Sequence, residues 1–470
     1  MRVRTSHLRR TAWSALSLTL LAGCATEREA APPPLAPNRV VVDLSNETID
    51  ALAERVAAQV AAQVAAQAAP QPGSVAGIEV GNAGPRNEAG RPTATVAGRA
   101  VAPALRASPP PGVFVKPPHV EASAAIAEAT AAVDAACEWL VAHQSEDGGW
   151  HPDTFTTRCP GVPCEGRGAS AYAPGVTGLA VTALLRATPT FEANPRRDAI
   201  LAGLRYLRGL QDSEGCIGPR ISSHFQYNHA CASLALVEAA ARGAGASADI
   251  RESAQHAVDF VLRSQNPYLG WRYGVRDGDN DTSMTCWMVR VLAAARDAGL
   301  RVDDNAWRGA LAWVDKMTEP EFGRVGYQRR GGPTARPIET LERFPPELSE
   351  AMTAAGLLVR EVCGQTVADN EFARKGADLV LSRPPTWDVE HGTNDFYYWE
   401  LGTDALRRAD APRWAVWRSA LHGAVTLRQH REDSHAHGSW DALDAWSNEG
   451  GRLYATATLC LALENVVSTR

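Results

Sequence analysis

Long apolar runs are missing from this 470-residue chain. None reaches the roughly 20 residues that a membrane-spanning helix needs. No basic stripe stands out either: 47 Lys and Arg face 53 Asp and Glu, for a formal net charge of -6. That balance argues against nucleic acid as a partner, because phosphate backbones are held by clustered cations. The nine cysteines form no C-x-x-C pair and no zinc-knuckle spacing, so neither a metal nor a cofactor is expected. What is present is globular composition, 45% hydrophobic and 21% charged, enough for one large or two medium domains.

Arg4, Arg9 and Arg10 precede an apolar stretch from Ala12 to Leu21, which ends in Leu21-Ala22-Gly23-Cys24. This is the layout of a targeting segment. Its end resembles the lipobox of bacterial lipoproteins. The resemblance implies lipidation of Cys24, attachment to the membrane through that lipid, and, with Ala25 next, the outer membrane of the cell envelope. The expected order is then a signal peptide (1–23), a tether (24–44), an alanine-rich helix (45–69), a linker rich in Pro, Gly and Ala (70–118) and one large domain (119–470). The short helix carries Ile49, Leu52, Val56, Val60 and Val64 on one face, a stripe suited at most to weak self-association.

Export implies an oxidising compartment. Cys137, Cys231, Cys286, Cys363 and Cys460 fall within helical apolar patterns and read as small core residues. Cys159, Cys164 and Cys216 fall in loops. Cys159–Cys164 is the candidate disulfide, with Cys216 as competitor.

From about Ser123 onward, glycine-rich turns recur every 50–65 residues or so, a span that holds two helices. They read QSEDGGW (144–150), QDSEGCIG (211–218), QNPYLGWRYG (265–274), EFGRVGYQ (321–328), DVEHGTNDF (388–396) and HGSWDALD (437–444). Amphipathic helices are predicted ahead of them, over 126–144, 194–211, 248–265, 303–317, 368–383 and 411–429. More uniformly apolar helices follow, over 173–187, 229–243, 281–298, 346–363, 396–409 and 452–467. A helix apolar on most sides is buried on most sides. Six outer helices should therefore surround six inner ones, and a closed ring avoids exposed solenoid ends. The predicted fold is all-α, an α/α toroid of six hairpins.

The Gln and Gly-Trp turns after outer helices resemble the QW-type repeats of squalene–hopene cyclases and of the protein prenyltransferase β-subunit. GWRYGVRDGDNDTSMTCWMVRVL, YNHACASLALVEA and GSWDALDAWSNEGGRLYATATLCLALE further resemble exported bacterial prenyltransferase/squalene-oxidase-repeat proteins. The resemblance covers about 123–470. It implies the toroid and carries no defined activity.

The chemistry of the catalytic relatives is incomplete here. A class II terpene cyclase protonates an alkene with the middle Asp of D-x-D-D-T, which must be unusually acidic. With Thr282 on the motif's Thr, the donor position is Asn280, and an amide has no such proton to give. Asn280 or Asp281 is expected to cap the following helix instead. A prenyltransferase zinc site needs an Asp, a Cys and a His. The His position reads Tyr454-Ala455-Thr456, and Asp281 and Cys286 do not share a helix face. Asp433, His435 and His437 could hold a metal, but a solvated loop is the commoner outcome for such a stretch and is the reading taken.

The starts of the inner helices place Tyr227, Asn228, His229, Asp281, Glu347, Glu350, Asp395, Tyr397, Tyr398, Glu400, Arg452 and Tyr454 at corresponding points of the ring, so several should converge at one mouth. Weak catalytic candidates are Asp279, Asp281, His229, Glu350 and Asp395. The expected function is a binding or scaffold module for a glycan, isoprenoid or protein ligand. The alternatives are a polysaccharide lyase or hydrolase using the mouth carboxylates, and a divergent terpenoid cyclase-like enzyme.

Overall fold

The computed structural model describes residues 122–221, 225–244 and 248–468, all within the unit Val101–Arg470. The signal segment with Cys24, the tether, the helix expected at 45–69 and the linker lie outside the described residues. Among those described there are twelve α-helices and no strand, only isolated bridges within turns. None of these helices is long and apolar enough to cross a membrane.

The outer helices are α1 (Ala122–Ala142), α3 (Arg197–Gly209), α5 (Ala248–Ser264), α7 (Asp304–Met317), α9 (Glu371–Leu381) and α11 (Ala411–Val425). The inner helices are α2 (Ala173–Arg186), α4 (Phe225–Ala241), α6 (Thr282–Asp297), α8 (Ala351–Val362), α10 (Phe396–Ala409) and α12 (Ser447–Val467). Each predicted helix is present. The difference in burial follows from the sequence. In α3 the buried residues Ile200, Leu204 and Leu207 form one stripe, whereas every residue of α2 from Ala173 to Leu185 is buried. Each inner helix packs on the next, from α2 through α12, and α12 packs back on α2. The ring is closed, and the fold is an α/α toroid.

The two largest boundary differences are at the starts of inner helices. Inner helix α8 starts at Ala351, because Pro345 and Pro346 hold 346–348 in a single 3-10 turn. Helix α12 reaches back to Ser447 through a break at Gly451, whose φ of 63° is left-handed.

The recurring turns explain how neighbouring hairpins grip one another. Gln144, at the end of α1, donates through Nε2 to Gly148 O at 2.8 Å and to Ala199 O on the next outer helix at 2.9 Å. Gln211 does the same with Gly215 and Ser253, and Gln265 with Leu269 and Ala306. Gln429 completes the circle, donating to Gly438 O and to Ala132 O of α1 at 2.7 Å. Glycine is required at the tip: Gly148 has φ +89°, and a Cβ there would lie 2.4 Å from Ala202 O. Gly438 stands in the same relation to Ala135.

The tryptophans secure the turn from within. Trp150, Trp271 and Trp440 are fully buried, and each Nε1 donates to a carbonyl near the end of the preceding outer helix: Leu140, Val261 and Val425. Their backbone N–H groups donate to Thr177, Thr285 and Thr456 on the following inner helices. A buried polar backbone is thus satisfied at each of these three turns.

Candidate functional site

Hydrogen bonds gather the N-terminal ends of the inner helices at one end of the ring. Tyr227 OH at the start of α4 donates to Ser283 Oγ at the start of α6, 2.9 Å away. Ser283 Oγ is also 2.8 Å from Tyr397 OH on α10. Since α8 stands between α6 and α10, this bridge crosses the ring's interior. Trp287 stacks on Tyr397 with centroids 6.3 Å apart and planes 10° apart, and Trp446 meets Tyr397 edge-on at 6.2 Å. Tyr273 and Tyr327 share a hydrogen bond between their hydroxyls, and Tyr327 OH donates to Asp281 Oδ2 at 3.3 Å. Tyr454 OH lies 3.4 Å from Asp444 Oδ2.

Of the expected mouth residues, Tyr227, Asp281, Tyr397 and Tyr454 belong to this cluster. Ser283, Trp287, Tyr273, Tyr327, Asp444 and Trp446 complete it and were not singled out from sequence. The recurrence of aromatic residues just before and after helix starts was the available signal.

Asp281 is the N-cap of α6, its Oδ1 accepting from Met284 N at 2.7 Å. Burial pushes its carboxyl up to about 7, against that backbone bond and the Arg272 guanidinium. Asp444 is likewise raised to about 7, chiefly by burial. Asn280 stays in its own loop, with Nδ2 donating to Gly278 O. Asp279 is exposed and pairs with Arg272 at 3.0 Å.

Several candidates have other work. His229 is fully buried, and its Nδ1 accepts from Ile217 N at 3.1 Å. It occupies the place that Thr177, Thr285 and Thr456 hold in the other turns. Burial lowers its pKa to about 3, so it is a neutral acceptor and not a catalytic base at the mouth. Tyr398 turns toward the outer ring, donating to Val380 O and Arg383 O. Asn228 latches α4 to α2, donating to Ala171 O and accepting from Gly175 N. Glu347 is exposed in the 3-10 turn. Arg452 is held by Glu165 O, Ser439 Oγ and Asp441.

The remaining carboxylates are each claimed by an arginine. Glu350 accepts from Arg324 at 2.6 Å and from Thr353 Oγ1 at 2.7 Å. Asp395 caps α10 through Tyr398 N and also accepts from Ser349 Oγ and Arg336. Glu400 forms a fork with Arg290, itself stacked over Trp287. Each of these three carboxylates is thus neutralised by a guanidinium in this arrangement.

A second cluster lies where the last hairpin meets the first. The described cysteines are all free thiols, Cys159 and Cys164 included, so the expected disulfide is not formed. Both thiols instead turn toward His143 at the end of α1: His143 Nε2 is 3.6 Å from Cys159 Sγ and 3.8 Å from Cys164 Sγ. His435 joins them, leaving the exposed Asp433 and His437 outside. One ligand atom from each of these four residues lies within 4.8 Å of every other, a set that could hold a metal ion. Burial lowers His143 to about 4 and raises Cys164 to about 11. The sequence reading did not single out this set, and of its members only His435 stood among residues weighed for a metal. Loop spacing hid the group because its members come from both ends of the toroid.

No family model and no curated protein matches the chain. Among solved structures, the chain is similar to the type II terpene cyclase MstE from Scytonema, with 16% identity and a TM-score of 0.46 over 73% of this chain and 98% of that one. An MstE variant in complex with its substrate, geranylgeranyl dihydroxybenzoate, is similar at 15% identity and a TM-score of 0.45, over 73% of this chain and 99% of that one. A protein from Actinoplanes is similar at 16% identity and a TM-score of 0.42, over 74% of this chain and 100% of that one.

Proposed function

We propose that this protein is an outer-membrane-anchored lipoprotein, tethered through Cys24, whose toroid is a binding module for an uncharged ligand. One observation carries the reading. At the N-terminal end of the inner ring the strong charges neutralise one another, while phenols and indoles cluster beside them. Glu350, Asp395 and Glu400 are held by arginines. Asp281 and Asp444, both near 7, are substantially protonated around neutrality. Such a surface suits a glycan, which stacks on rings and exchanges hydroxyl hydrogen bonds, or an isoprenoid tail, which needs apolar walls.

The same observations weigh against catalysis. Alkene protonation calls for a strengthened acid, and burial weakens Asp281 as an acid. Glycan cleavage calls for a carboxyl pair with freedom to transfer protons.

The test is native mass spectrometry of the full-length chain with envelope glycans and isoprenoid lipids. Retention of one class, lost in Trp287→Ala and weakened in Tyr397→Phe, is expected. Retention that is indifferent to both substitutions, or turnover of the retained molecule, would overturn the reading. Cys24→Ala should move the protein from the membrane fraction to the soluble fraction; an unchanged membrane fraction would remove the anchor from the proposal.

A further inference from the structure

We propose that His143, Cys159, Cys164 and His435 form a closed, structural Cys2His2 site for a zinc-class divalent cation, and that this site clasps the ends of the toroid together. Geometry leads. In a tetrahedral zinc site, metal–sulfur distances of about 2.3 Å and metal–nitrogen distances of about 2.0–2.1 Å give sulfur–nitrogen edges of about 3.5–3.6 Å. The observed edges from His143 Nε2 are 3.6 and 3.8 Å. All four donor atoms lie within 4.8 Å of one another, so modest side-chain rotation completes the tetrahedron.

The surroundings are those of a metal site. His143 Nδ1 lies 2.8 Å from Trp139 O. Donation to that carbonyl places the proton on Nδ1 and leaves the Nε2 lone pair aimed at the thiols, the arrangement that orients ligating histidines. Trp139 Nε1 donates to His435 O at 3.1 Å, fixing the last loop against the first helix. Cys164 N donates to Cys159 Sγ at 3.3 Å, a bond that stabilises a thiolate. His435 Nε2 is buried and has no hydrogen-bond partner. A buried polar atom left in that state asks for a ligand.

The donor set selects the cation. Two thiolates with two imidazoles suit zinc over magnesium or calcium. Four protein donors leave no open position, which marks a structural and not a catalytic site. On binding, each thiol loses its proton to solvent and no electrons are exchanged. The placement supplies the role. His143 ends α1 and Cys159 and Cys164 sit in the first long loop, while His435 sits in the last, beside Gln429, which already donates to Ala132 of α1.

Metal analysis of the full-length chain purified without chelator tests this. One zinc per chain is expected, falling at least tenfold in Cys159→Ser with Cys164→Ser. Cobalt supplied to chelator-treated protein should give the visible absorption of a tetrahedral thiolate site, a readout that uses the unaltered chain and is independent of ligand binding at the ring's end. Thiol titration decides the rest. A chain that binds neither metal and has two fewer free thiols holds a Cys159–Cys164 disulfide. A metal-free chain with all its thiols titratable has no site. Either result overturns the proposal.

Discussion

The second and third turns of the toroid do the same task with different residues. In the third, Gln265 bridges to Ala306, Trp271 seals the interior and Thr285 accepts from Trp271 N. In the second, Gln211 bridges to Ser253, Ile217 takes the tryptophan's place and His229 takes the threonine's. The backbone demand is identical, because each turn leaves one buried N–H needing an acceptor. A buried histidine at a helix start looks like a catalytic base until the repeat is laid beside it. Comparing repeats is therefore what separates framework residues from site residues in this ring.

The comparison can be broken most strongly at the tryptophan. Trp271→Ala should cost about 3–5 kcal/mol in denaturant melts, against about 0.5–1.5 kcal/mol for Ile217→Val. Equal, small losses would mean that the turns are not the ring's fastenings.

Next in size is a pH effect confined to the second turn. His229 in the folded chain titrates near 3, below the ordinary 6.5. Its contribution is complete above pH 6.5 and is lost as pH falls from there toward 3, because the unfolded chain takes up the proton first. Between pH 7 and pH 5 the loss should be about 2 kcal/mol. His229→Thr should remove that part of the slope, and a variant with an unchanged slope would refute the assignment.

The smallest effect sharpens the likeness. Gln211→Ala and Gln265→Ala should each cost about 1 kcal/mol, the net loss when part-buried carbonyls exchange a side-chain donor for water. Gln429→Ala should match them, because the seam uses the same pair of bonds. A loss confined to one of the three would show that the turns are not equivalent.

Much of the fold was legible because helices and turns are local. The stripe of α3 and the all-round burial of α2 are written in the spacing of apolar residues. Asp281 as a cap was legible for the same reason, since its partner is three residues away. The candidate site was legible only in part. Helix starts placed Tyr227, Tyr397 and Tyr454 near one end, but nothing local tells that Glu350, Asp395 and Glu400 each meet an arginine from another element. Tyr398 directs its hydroxyl to the outer ring although Tyr397, one residue earlier, bonds across the interior. Adjacent residues on a helix point about 100° apart, and the aromatic pair read as one feature.

The sequence by itself determined which segments are helices, which faces they bury and that six hairpins must cover one another, because each follows from short-range periodicity and from the cost of leaving apolar surface in water. The tertiary structure alone decided which charges are neutralised and which polar groups meet across the ring. It also brought His435 from the last loop to His143, Cys159 and Cys164 in the first. The charge and hydroxyl pairings depend on how the hairpins pack on one another, and the His435 contact depends on ring closure, which joins residues almost the whole domain apart; neither leaves a trace in local spacing.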